Sequence, residues 1–298
     1  MSDFYFAVLL SLTAAFIFAI GAQVSRLGLK TVDAQSGAMI SIAAATALYW
    51  AAAPWQLDMD TLIHHYLPSS AIWLFALVGL FRPALSSTFA MAGTAILGPT
   101  ISTTLSATAP LFGLLFGVML LGEAFTLPVT LGTVTIVAGV MLLAKRGGHD
   151  ITGHWPLWAL VLPVLAAVIR VCAHLVTKVG MEEIASPYFA GLVAYNVSLL
   201  VAAANLARRR VNPITLLAAN SASWWFALTG ILFGIAIFTV NTALQYGPLS
   251  VVAPLVSLEA IFVLFLGVTV FRERKIDTRV TLAVLLVVVG AVAISARD

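Results

Sequence analysis

The chain reads as an all-α polytopic membrane protein: ten transmembrane helices arranged as two inverted five-helix repeats around a central cavity. Three observations carry that reading. Of 298 residues, 61% are hydrophobic and only 9% charged, with a mean hydropathy of +1.07, whereas a soluble domain carries roughly 25% charged residues. Apolar runs of about 20 residues, long enough to cross a roughly 30 Å hydrocarbon layer as helix, recur along the whole length. A short pattern then returns half a chain later, with Phe89, Gly98 and Pro99 spaced like Phe238, Gly247 and Pro248.

Taken in order, the predicted spans are 4–25, 35–54, 70–95, 99–121, 127–145, 156–179, 187–207, 222–245, 249–271 and 276–295. The opening "MSDFYFAVLLSLTAAFIF" lacks a positive n-region and a small-residue cleavage site, so it reads as the first span and not as a removed signal. Arg26 and Lys30 separate it from the second. The third and fourth meet at "LGPT" (97–100), the eighth and ninth at "YGPL" (246–249). Gly-Pro reads there as stop then start, because proline's missing N–H has no intrahelical partner in a first turn. "LGE" (121–123) leads into the fifth span, which ends in "AKR" (144–146); "FRE" (271–273) leads into the tenth, which ends in "SAR" (295–297). The repeats are therefore 1–148 and 152–298, joined as one integrated transmembrane unit. Five is odd, so tandem copies enter the membrane in opposite senses. Inverted repeats are a recurring plan of secondary transporters, with the binding site near the bilayer midplane.

The basic residues orient the bundle. Loops after the odd spans hold Arg26, Lys30, Lys145, Arg146, Arg208, Arg209, Arg210, Arg272, Arg274, Lys275 and Arg279, against Lys178 and Arg297 on the other side. The positive-inside rule then places both termini outside the cytoplasm, in a cell (inner) membrane. The same clustering between apolar runs explains the basic pI without nucleic acid. Cys172 is the sole cysteine, which excludes an intrachain disulfide and a cysteine-based metal site. No metal or other cofactor is expected.

Three charges fall where the membrane should forbid them: Arg82, Arg170 and Glu259, each roughly 14–21 Å from a helix end at 1.5 Å rise per residue. A central charge costs about 2.5–3.5 kcal/mol, while each Leu or Phe returns only about 0.3–0.6. Three left alone would cost on the order of 8–10 kcal/mol, comparable to a whole fold's stability. They are tolerable facing one another or a wet cavity. One arrangement is an ion pair that merely fastens helices. The other is a substrate cavity, where two positives against one negative leave a surplus suited to a carboxylate, phosphate or sulfonate held by bidentate arginine. Glu259 in a dry site is also a candidate proton carrier, although a partnered arginine opposes that.

Other polar residues share this depth. His174 lies one turn after Arg170, with Lys178 a turn further on. Ser86, Ser87 and Thr88 follow Arg82 by about one turn, and Pro83 breaks the backbone bonding beside it. Gln23 is the polar residue of the first span, Asn241, Gln245 and Tyr246 close the eighth, and Tyr195 and Asn196 lie in the seventh, where amides commonly glue helices together. Phe89 and Phe238 lead the aromatics able to wall a cavity, while Trp50, Trp55, Trp155 and Trp158 suit interfacial belts. The candidate substrate-binding set is Arg82, Arg170, Glu259, Ser86, Phe89, His174, Asn241, Phe238, Tyr246 and Gln23. "GLLFG" (113–117) and "GILFG" (230–234) read as internal packing motifs, and Glu123 and Glu273 as interfacial structure.

The paired five-helix halves, the two Gly-Pro turns and the stretch "APLFGLLFGVMLLGEAFTLPVTLGTVTIVAGVMLLA" (109–144) resemble the drug/metabolite transporter superfamily, in its ten-helix EamA-type branch. That resemblance implies a cavity built largely by helices 1, 3, 4, 6, 8 and 9, with alternating access as the halves rock. The group moves amino acids, sugars, nucleotide sugars, drugs and other metabolites. Small multidrug members rely on a glutamate in helix 1, which has none here; the family's termini are more usually cytoplasmic, the reverse of the charge bias.

An enzyme is not expected: His64, His65, His149, His154 and His174 form no HExxH or i,i+4 pair, and no GxSxG occurs. The reading is a secondary transporter of a small anionic or zwitterionic organic metabolite, an amino acid being the leading example. The alternative is an exporter of apolar or cationic drugs whose buried charges are structural. Expected partners are the small-molecule substrate, the lipid bilayer and protons or another coupling ion, without nucleic acid, in a monomer or homodimer.

Overall fold

Hydrocarbon offers the backbone no hydrogen-bond partner, so an apolar run inside it must satisfy its own amides. The computed structural model shows the consequence. It describes residues 2–29, 34–82, 86, 89, 92–93, 96–97, 105–106, 108–144, 156–208, 222–269 and 278–295, which among themselves form helices and turns and no strand. The helices are α1 (Ser2–Gly28), α2 (Ala34–Gln56), α3 (Ala71–Leu80), α4 (Ala109–Leu121), α5 (Leu127–Ala144), α6 (Val161–Glu183), α7 (Pro187–Arg208), α8 (Ala222–Tyr246), α9 (Leu249–Val256), α10 (Glu259–Thr269) and α11 (Thr278–Ser295). Six stretches are long and apolar enough to cross a membrane unaided, and α4, α5 and α11 contain shorter apolar helices. The Gly98-Pro99 turn, Pro83, Ser87, Thr88, Glu273, most of the basic loop residues and the 148–152 boundary lie outside the described residues, so these do not fix the count of ten spans.

Two departures from straight spans matter. Before α3 the chain makes a short helix, Met59–Thr61, and a wide turn, Leu62–Tyr66, bent 95° from α3. Asp58 starts it, its Oδ2 accepting from Thr61 N at 2.9 Å and Thr61 Oγ1 at 2.8 Å. The predicted ninth span is broken between α9 and α10. Pro254 has no N–H for the Ser250 carbonyl and its ring crowds that carbonyl. Tight bonds follow, from Leu258 N to Leu255 O at 3.2 Å and from Ala260 N to Ser257 O at 3.3 Å. In the first repeat Thr108 forms the equivalent turn before α4. Thr108 and Ser257 stand equally far from Pro99 and Pro248, so the two turns occupy matching positions in the repeats.

Packing follows the repeat symmetry. α1 lies on α8 as α6 lies on α3; α2 meets α8 as α7 meets α3; α1 meets α9 and α10 as α6 meets α4. The pairs α2–α7, α4–α9 and α5–α11 are each made of one helix and its own counterpart. A two-fold relation between halves requires this pattern, and at α5–α11 it shows in single atoms: a Cβ on Gly290 would collide with the Gly132 carbonyl, and one on its counterpart Gly139 with the carbonyl of Ala283, the counterpart of Gly132. The "GLLFG" and "GILFG" glycines also face inward, Gly113 on Ala253 and Gly230 on Ser41. The buried core lies where the halves interlock, around Phe75, Leu244, Leu249 and Val252 at one end and Ile136, Val251, Leu255 and Val287 along the side.

Candidate functional site

A cavity of about 430 Å³ opens among α1, α2, α3, α4, α6, α7, α8 and the α9–α10 break, within the roughly 300–1,000 Å³ usual for small-molecule sites. Six predicted site residues line it: Arg82, Arg170, Glu259, Ser86, His174 and Asn241. Each is placed by a local feature of the sequence.

Arg82 stands where α3 widens into a π-type turn at Phe81 and Arg82. Residue 83 is proline, so no N–H exists to meet the Gly79 carbonyl in helical register. α7 supplies the donor. Gly79 has no Cβ to strike the Ala194 carbonyl or Val197, so the two helices approach until Ser198 Oγ reaches Gly79 O at 2.9 Å and Arg82 O at 2.5 Å. Arg82 Nη1 lies 3.5 Å from His174 Nε2; guanidinium can only donate, so that ring nitrogen is the acceptor. One nitrogen is thereby anchored, and the guanidinium's other donors have no protein partner among the described residues.

Arg170, His174 and Thr177 follow one another at helical spacing along the cavity face of α6. Lys178, expected on that face, turns away toward Glu123. Glu259 begins α10 directly after the break, so Pro254 is what delivers a carboxylate to the cavity wall. Among the described residues no ion pair within 4.0 Å joins Glu259 to either arginine, although all three line one space. A hydrophobic wall completes it, including Phe18, Ile42, Phe233 and Ile237.

Four predicted residues lie elsewhere. Gln23 is buried, donating through Nε2 to Val263 O at 2.7 Å and accepting at Oε1 from Arg26 Nη1 at 2.9 Å, which ties α1 to α10. Phe238 is 37% exposed: α8 turns Gly230, Phe233, Ile237 and Asn241 to the cavity, and the next residue is rotated by about 100°. Tyr246, the last residue of α8, is exposed and packs edge-on against Phe6 at 5.2 Å. Phe89 is helical and half-buried but does not line the cavity. Ser41, Thr177, Ser198 and Ser257, none of them a predicted site residue, also line it, as does Tyr195, which the sequence marks only as a polar residue at this depth. Thr177 was findable, seven residues after Arg170 on the same face.

Such an arrangement can hold and pass a small molecule, and among the described residues there is no cluster of three metal-ligating side chains. The model of the EamA-like transporter family matches residues 5–145 and again residues 157–296. The chain belongs to the EamA-like transporter family. It is therefore a multi-pass membrane transporter of the drug/metabolite superfamily, and its two matched segments are the repeats that the packing symmetry displays. A solved structure described only as "Crystal structure of protein" superposes with a TM-score of 0.76 over 96% of this chain and 95% of that one, at 18% identity. At that identity the likeness concerns the fold alone. No curated protein matches the chain.

Proposed function

We propose that this EamA-like transporter is a secondary carrier of a small anionic or zwitterionic organic metabolite, an amino acid being the leading example, working by alternating access. One observation carries the reading: two arginines and one glutamate from three different spans line a single cavity without pairing with each other. Charges that only fastened helices would close on one another, since a buried charge without a partner is costly. Arg82 and Arg170 bind the acidic group, Arg82 held in place through His174 and Ser198. Glu259 meets an amine or balances the charge, and Phe18, Phe233 and Ile237 pack the body of the substrate. Exporters of apolar or cationic drugs need no surplus positive charge here, which sets that alternative second. The Lys/Arg bias places both termini outside the cytoplasm, and protons are candidate coupling ions through Glu259.

The test is a thermal-shift screen of the purified carrier against carboxylates, zwitterions and organic cations. A ligand at one hundred times its Kd stabilises by about 2.7 kcal/mol. Acidic compounds are expected to raise the melting temperature of the parent and not of Arg82→Gln. Stabilisation by cations alone, or transport unchanged in a folded Arg82→Gln, overturns the reading.

A further inference from the structure

The cavity ends short of one membrane face, the face where α1, α3, α7 and α9 begin. Its innermost lining there is Thr177, Ala190, Asn241 and Ala253. Beyond it lies a buried plug of Phe75, Met181, Phe189, Leu244, Leu249 and Val252. Two carboxylates straddle this plug, and each holds a helix start in the other repeat.

The first is Glu123. α4 stops at Gly122, whose left-handed φ of 65° turns the chain back, with the Gly122 and Glu123 N–H groups both donating to Gly117 O. Glu123 then faces the start of α9. Its Oε1 accepts from Leu249 N at 2.5 Å and its Oε2 from Ser250 N at 2.8 Å. Those amides belong to a first turn and have no intrahelical partner, and they form the positive end of the helix. Lys178 of α6 completes the link, 3.3 Å from Glu123 Oε1 and donating to Gly247 O at 2.6 Å. The second carboxylate, Glu183, ends α6 and accepts from Ser69 Oγ at 2.6 Å, Ser70 Oγ at 2.7 Å and Ser70 N at 3.1 Å, immediately before α3. Glu123 thus runs from the first repeat to the second, and Glu183 from the second to the first.

We propose that Glu123 and Glu183 are the gate residues of the transport cycle, a pair of carboxylate clasps that hold the cavity shut at the N-terminal face. The proposal rests on the alternating-access reading above. Opening this face requires α3 and α4 to move apart from α6 and α9, and both carboxylates bridge that seam. Each makes several charge-assisted bonds in the closed arrangement, and opening this face exchanges those bonds for water. Glu123→Gln cannot satisfy both α9 amides and Lys178 together, because one carboxylate oxygen becomes an amide donor.

The experiment places one reporter just inside the plug: Thr177→Cys in a Cys172→Ser carrier, reconstituted in oriented proteoliposomes. A charged, membrane-impermeant methanethiosulfonate is added from the N-terminal face. Labelling is expected to be slow in this parent and about tenfold or more faster in Glu123→Gln/Glu183→Gln. Lys178→Met keeps both helix caps and removes only the bridge; an intermediate rate is expected, and it carries the test if the double variant fails to melt cooperatively. A purely structural cap lowers the melting temperature without changing the side-specific rate. Fast labelling of the parent, or a rate within about twofold of it in a folded variant, overturns the proposal. Ligand-induced thermal shifts measured on the same samples report the anion site separately, so failure of the gate and failure of the substrate reading are told apart.

Discussion

Ser198→Ala isolates the link between packing and site. The Ser198 hydroxyl reaches two carbonyls, Gly79 O at 2.9 Å and Arg82 O at 2.5 Å, but it carries a single proton and bonds one fully at a time. The loss is therefore that of one interhelical hydrogen bond. Such bonds in membrane bundles average about 0.6 kcal/mol and reach about 1.7, and leaving a buried acceptor unpaired costs about 1–3 kcal/mol. Ser198 is 3% exposed and Gly79 cannot find another donor at residue 83, so the upper part of that range applies, about 1–2 kcal/mol. Cooperative unfolding in detergent, monitored by helicity against denaturant, measures it. Binding of the acidic ligand should weaken as well, because the Arg82 backbone loses its tether. Ser198→Thr, which keeps the hydroxyl, should recover most of both. A Ser198→Ala carrier that unfolds within about 0.3 kcal/mol of the parent and binds equally well refutes this account of how Arg82 is held.

Gly290→Val puts atoms where the Gly132 carbonyl lies; overpacking of this kind costs about 1–3 kcal/mol, read as a lowered melting temperature. Glu259→Gln makes the cavity more positive, so binding assays should show simple carboxylates held at least as tightly and amine-bearing zwitterions more weakly. Asp58 titrates below the ordinary aspartate value of 3.8, first because the Thr61 amide donates to it and then the Thr61 hydroxyl. Its contribution is whole above pH about 3.9 and is lost as pH falls through the lowered value; a melting-temperature series should show that acid dependence shrinking in Asp58→Asn. A protease-cleavable tag at Met1 should be cut by protease added to intact spheroplasts, whose non-cytoplasmic membrane face is exposed, and protection there contradicts the orientation drawn from the basic loops.

The spans were legible because burying polar backbone forces helices wherever apolar residues run long enough, and the repeat was legible because its Gly-Pro punctuation recurs. The α9–α10 break was not. Pro254 is visible in the sequence and, like Pro54 in α2, stands two residues before its helix ends; what the residues alone do not show is that helix resumes at Glu259 after so short a gap. In the site, Arg82, Arg170 and Glu259 stood out through their cost in hydrocarbon. Serine and threonine did not, since in a span they commonly bond to their own preceding turn, as Thr177 Oγ1 does to Ala173 O at 2.7 Å, and residue type then says nothing about which face is lined. Gln23, Phe238 and Tyr246 show the converse: a polar or aromatic residue at the right depth can point away. In the sequence Glu123 shows only as an interfacial residue at the end of a span, and its partners on α9 appear once the repeats are interlocked.

The central claim is that the buried arginines meet an acid group on the substrate. Binding of the best acidic ligand and of its neutral carboxamide, each to the parent and to Arg82→Gln, tests it as a thermodynamic cycle. A charge-assisted contact of about 1.5–3 kcal/mol corresponds to roughly 10–150-fold in affinity. Removing the ligand's charge is expected to cost that factor in the parent and little in Arg82→Gln. An equal loss in both proteins contradicts it.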